Sequence, residues 1–122
     1  MEFINSEKAP EPVGPYSHAV KAGDFVFVSG QIPLRNGTVP ESFEERVRAV
    51  MENVRAILNS CNLDLKNVVK ATIYLTDLSK FDEFNRIYAE YFSHKPSRAV
   101  VEVKNLPKNV DIEMEVIAYA KS

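Results

Sequence analysis

The stretch DIEMEVIAYA, residues 111–120, alternates with period two. In an extended chain Ile112, Met114, Val116 and Ala118 point one way, and Asp111, Glu113, Glu115, Ile117 and Tyr119 the other. The apolar row has to be covered by other elements of the chain. The opposite row mixes carboxylates with Ile117 and Tyr119. It is too apolar to face water alone, so it is expected to meet another subunit.

Helical periodicity supplies the cover. Phe43, Val47, Val50, Met51, Val54, Ile57 and Leu58 share one helical face. Ser42 followed by Glu45 reads as a capping box, Glu44 and Arg48 lie one turn apart on the wet side, and Asn62 suits a left-handed cap after the last turn. A second helix is expected from Ser79, with Phe81, Phe84, Tyr88 and Tyr91 as its stripe and Pro96 closing it.

Between and around these helices lie β-rich runs. SHAVKAG and DFVFVSG read as a hairpin through Ala22-Gly23-Asp24, preceded by a loop punctuated by Pro10, Pro12, Gly14 and Pro15. RNGTVP, with Asn36-Gly37, is a turn. Val68 to Thr76 is expected as a strand with Val69, Ala71, Ile73 and Leu75 on one face, and Arg98 to Lys104 as a short buried strand. A single α+β domain over residues 1–122 follows, a mixed β-sheet with two helices packed on one face.

Composition bounds the function. Hydrophobic residues make up 45% and charged residues 26% of 122, and the net charge of −2 argues against a general nucleic-acid or membrane binder. Cys61 is the single cysteine, so neither an intrachain disulfide nor a cysteine zinc site is possible. The first residues, MEFINSEKAPEP, show no basic and then apolar segment, and no run is long enough for a membrane span. A reducing, cytoplasmic location is expected.

One residue resists a purely structural reading. Arg98 opens an apolar strand directly after Pro96 and Ser97, and a guanidinium there needs an anion. That anion is either a carboxylate of the protein or one that comes and goes. Glu113 and Glu115, two apart on a strand, project from one face and suit either a solvated, salt-bridged surface or acid–base work. If their strand pairs antiparallel with the Arg98 strand around NLPKNV, Arg98 and Glu113 are not cross-strand partners and converge only in a cleft between subunits. Tyr16 after Gly14-Pro15 suits a loop anchor with its hydroxyl on a carbonyl. His18 and His94 lack metal-ligand spacing, and His94 suits the end of a helix dipole.

Taken together, APEPVGPYSHAV, FVSGQIP and PSRAVVEVKNLPKNVDIEMEVIA resemble the RidA/YjgF family of enamine/imine deaminases, in order and spacing, from about Ala9 to Ala120. The resemblance implies a chorismate-mutase-like fold and a homotrimer with its sites between subunits. It implies hydrolysis of 2-aminoacrylate, 2-iminopropanoate and 2-iminobutanoate to 2-keto acids and ammonia, with no cofactor and no metal. It places the substrate-carboxylate arginine at Arg98 and the catalytic glutamate at Glu113. Tyr16, Ser29, Gly30 and Asn85 fall on pocket positions. Val100 stands where many members carry cysteine, so thiol chemistry at that position is absent. The small 2-imino or 2-keto acid is the expected partner, without nucleic acid or membrane. The alternatives are a non-catalytic sensor of keto or amino acids on the same trimer, which needs Arg98 but not Glu113, and an RNA-acting translation inhibitor, which the acidic balance opposes.

Overall fold

The computed structural model describes residues 1–120. Its strands are β1 (Glu2–Ile4), β2 (Ala19–Ala22), β3 (Phe25–Gln31), β4 (Val68–Leu75), β5 (Ser97–Glu102) and β6 (Ile112–Tyr119), and its helices are α1 (Phe43–Asn59) and α2 (Phe81–Tyr91). One six-stranded sheet runs in the order β1-β2-β3-β6-β4-β5, and both helices lie on one face. All pairings are antiparallel except β4 with β5. Among the described residues no helix is long and apolar enough to cross a membrane.

The alternating strand is the interior of this sheet. β6 pairs with β3 on one side and β4 on the other. Its Ile112, Met114, Val116 and Ala118 are buried under α1 and α2, whose buried faces are Phe43, Val47, Val50, Met51, Val54, Ile57 and Leu58, and Phe84, Ile87 and Tyr88. The other face stays open. Phe25 and Phe27 of β3 and Tyr119 of β6 are each about two-fifths exposed there, and Phe3 of β1 more so. This is the apolar, uncovered face that the sequence pattern led us to expect.

Five local expectations are corrected. The capping box of α1 is only half formed: Ser42 Oγ accepts from the Glu45 amide at 3.1 Å, but the Glu45 carboxylate pairs with Arg35 at 2.8 Å instead of reaching back. The second helix does not begin at Ser79. Asp77 caps a tight 3-10 turn over Leu78–Lys80 by accepting from Ser79 N, and α2 starts at Phe81. The strand with Arg98 is neither buried nor paired with β6. It is an edge strand lying parallel to β4, mostly exposed, because α2 carries the chain back to the same end of the sheet before β5 begins.

The fourth correction is a bulge. Val68 pairs with Ala118 and Lys70 with Ile117, so Val69 is the extra residue and every earlier side chain switches face. Val68 is buried and Val69 is not. The freed Val68 carbonyl meets His94 Nε2 at 2.9 Å. His94 lies beyond the end of α2, so its role is to satisfy this carbonyl and not to end a helix dipole.

The bulge separates two valine-like positions that strict alternation treats alike. Ile73→Ala should cost about 2–5 kcal/mol of unfolding free energy, and Val69→Ala under about 1 kcal/mol. Urea denaturation of the two variants checks this, and equal losses would mean an unbroken β4 register.

Candidate functional site

The residue types singled out above fall into two clusters. The first is a cleft of about 380 Å3 whose walls include Tyr16, Ser29, Gly30 and Glu113, with Pro10, Pro12, Val13, Ile32, Leu34, Pro107, Glu11 and Glu115. Its roof is the loop between β1 and β2. Prolines keep that loop out of regular structure, and the buried His18 ties it down. The Ser6 amide donates to His18 Nδ1 at 2.9 Å, so the ring hydrogen sits on Nε2 and donates to the Pro10 carbonyl at 2.7 Å. His18 is thus a structural pin.

Ser29 and Gly30 lie where β3 departs from regular pairing with β6, between Val28 and Gln31. The irregularity turns them toward the cleft. Ser29 Oγ donates to the Ser17 carbonyl at 2.7 Å, which joins strand to loop. Gly30 has a steric reason to be glycine: a Cβ there would overlap the Glu113 carboxylate, with Cδ only 2.8 Å away. Tyr16 does anchor the loop, but in the opposite sense to expectation. Its hydroxyl oxygen accepts from the Val13 amide at 3.1 Å instead of donating to a carbonyl.

Glu113 is the charged group this architecture treats least kindly. Burial pushes its carboxyl above the usual carboxylate range, and the neighbouring Glu115 pushes it further in the same direction. Among the described residues no hydrogen bond or cation offsets these effects. Glu115 is exposed and differs in having a donor, the Tyr74 hydroxyl at 2.5 Å.

The second cluster surrounds Arg98. Its Nη1 donates to Asn85 Oδ1 at 2.7 Å, and its guanidinium carbon lies 4.9, 5.6 and 6.0 Å from the ring centres of Tyr88, Phe81 and Phe84. Among the described residues no ion pair involves Arg98. Val100, two residues on, packs against the core from the same side. The anion that the sequence demanded is therefore not a carboxylate among the described residues.

The two clusters do not meet within one chain. Arg98 is in register with Ala71 and contacts α2, so it projects on the helix side. Glu113 is in register with Tyr74, on the open side. Tyr16, Ser29, Gly30 and Glu113 are brought together, while Asn85, Arg98 and Val100 lie on the other side of the sheet. Sequence reasoning missed Tyr74 and the wall formed by Ile32, Leu34 and Pro107. Tyr74 was legible only as a residue of the non-core row of β4.

The surroundings of Glu113 give a first test. Carboxyl carbon NMR should show it titrating above the ordinary glutamate range in the folded protein. A midpoint at or below that range would mean that the cleft is wetter, or better supplied with donors, than its walls imply.

A family model described as endoribonuclease L-PSP matches residues 6–120. A RutC family protein of Pyrococcus abyssi is 51% identical over 97% of this chain and 96% of its own. Among solved structures, E. coli TdcF with bound serine is 35% identical with a TM-score of 0.95, over 99% of this chain and 100% of its own. RidA from an Antarctic Psychrobacter species is 38% identical with a TM-score of 0.94, over 98% and 99%. The mixed sheet with two helices on one face is the chorismate-mutase-like fold of these structures.

Proposed function

The chain belongs to the RidA/YjgF family, also described as endoribonuclease L-PSP, and from that membership we propose that it deaminates reactive 2-imino acids. The substrates are 2-aminoacrylate with its tautomer 2-iminopropanoate, and 2-iminobutanoate; the products are 2-keto acids and ammonia. The observation that carries the reading is Arg98, a guanidinium held by Asn85 and three aromatic rings yet lacking any carboxylate partner among the described residues. Such a group is prepared for a small carboxylate from outside, which it meets with two parallel hydrogen bonds. The serine in the TdcF structure supports this, since it presents a carboxylate beside a carbon–nitrogen bond as these substrates do.

The chemistry needs little more. An enamine first takes a proton on its methylene carbon to become the imine. Water then adds to the imine carbon while Glu113 accepts one of its protons and passes it to nitrogen, giving the carbinolamine. The carbinolamine hydroxyl proton follows to nitrogen through the same carboxylate, and ammonia leaves as the carbonyl forms. A carboxyl raised by burial is better suited to carry that proton at neutral pH than an ordinary one. Imines hydrolyse unaided, so positioning by Arg98 and proton transfer by Glu113 suffice. The endoribonuclease description finds less support: Glu11, Glu113 and Glu115 in the cleft walls repel a phosphate backbone.

Because Arg98 and Glu113 project from opposite faces of the sheet, the reading requires a second chain. We place Arg98, Asn85 and Val100 of one subunit over the cleft of the next, in a homotrimer joined through the open face. Light scattering after size exclusion should report three chain masses, and a monomer at micromolar concentration would rule out the shared site.

Activity is tested by keto-acid release from aminoacrylate generated by a dehydratase. Arg98→Lys keeps the charge but loses the coplanar contact, and should cost about 2–4 kcal/mol in the transition state, roughly thirty- to a thousandfold in rate, with folding and assembly intact. Glu113→Gln should slow hydrolysis while product still binds. A wild-type rate in the lysine variant would reduce Arg98 to a surface cation. An unchanged rate in the glutamine variant, with keto acid bound, would leave a binding protein.

A further inference from the structure

Among the described residues, Tyr74 is the polar group bonded to the carboxylate pair that the proposed reaction leaves without a role. On the sheet it stands directly across from Glu113, while Thr72 stands across from Glu115. Its hydroxyl nevertheless bypasses its direct neighbour and reaches diagonally to Glu115 Oε1 at 2.5 Å. The pair of carboxylates is thereby made unequal. One has a fixed donor, and the other, against Gly30, has none among the described residues.

We propose that Tyr74 is a positioning residue: its hydroxyl fixes the Glu115 carboxylate in the cleft wall beside Glu113, and the charge held there keeps Glu113 the member of the pair that carries the proton. The inference rests on the reading of Glu113 as the proton carrier. A carboxylate on an exposed strand position is otherwise free to turn into water, where its field is screened. Held at the wall, it acts across the half-buried cleft.

The groups facing Glu113 are few enough to attribute the effect. The roof loop brings Glu11 and Tyr16, β4 brings Tyr74, and β6 brings Glu115; the β3 wall, Ser29 to Gln31, brings no titratable group. Glu115 is the one whose charge raises the Glu113 carboxyl further, after burial itself. The Tyr74 hydroxyl is pushed up to about 12, chiefly by its bond to Glu115, so it remains a protonated donor wherever the protein works.

The test is a double-mutant cycle read on Glu113 itself. Carboxyl carbon NMR follows its titration in the wild type, Tyr74→Phe, Glu115→Gln and the double variant. Tyr74→Phe removes one hydroxyl, lets Glu115 swing out, and should move the Glu113 midpoint to lower pH. Glu115→Gln should move it the same way and at least as far. In the glutamine background, Tyr74→Phe should add nothing. The acid limb of the deaminase pH profile should follow the NMR midpoints. An unmoved midpoint in Tyr74→Phe, or an equal shift persisting without Glu115, overturns the inference. The NMR cycle stands without catalysis, so a protein with the expected midpoints and no deaminase activity would contradict the proposed reaction and leave this assignment standing.

Discussion

β6 is hydrogen-bonded on both edges and committed on both faces, and the rest of the molecule is arranged around that constraint. Its core row draws α1 and α2 to one side. Its other row carries Glu113 and Glu115 onto the open face. A strand with ladders on both sides cannot slip by one residue without burying its carboxylates and exposing Met114 and Val116. The register is further fixed at its start. Arg46 of α1 makes a two-pronged contact with Asp111, at 3.0 and 2.9 Å, and the Asp111 carbonyl accepts from the Thr76 amide just past β4. The position of Glu113 is therefore set by helix, sheet and turn together, not by its own side-chain contacts.

This explains what could be read from the sequence. Period-two and helical patterns report which face of an element is dry, and they placed β6, α1 and the β2–β3 hairpin correctly. They do not report neighbours. Nothing in PSRAVVEV says that β5 lies parallel to β4 at the edge, because that depends on the crossover through α2. The bulge at Val69 was hidden for a related reason: the carbonyl beside it is met by His94, 26 residues along the chain. The short β1 was unread because three residues, Glu2–Ile4, carry no period.

The candidate site divides along the same line. The motif resemblance identified Tyr16, Ser29, Gly30, Asn85, Arg98, Val100 and Glu113, and the chain gathers four of these into one cleft. The remaining three sit across the sheet, where β5 is an edge and Arg98 leans on α2. A side-chain pattern is a local signal, whereas a site shared by chains is defined by a surface no local signal describes. Tyr74 was missed for another reason. A tyrosine in a strand is ordinary, and only the diagonal reach to Glu115 sets it apart.

Gly30 makes two distant positions into one heritable unit. The space its missing side chain leaves is occupied by the Glu113 carboxylate, so alanine at 30 would push that carboxylate out of its present place. A lineage that drifted to alanine at 30 would have to give up or displace the carboxylate first. One that lost the carboxylate would be released from glycine. Substitutions at the two sites are thus coupled, and glycine at position 30 leaves the acid at 113 the place it occupies in the cleft.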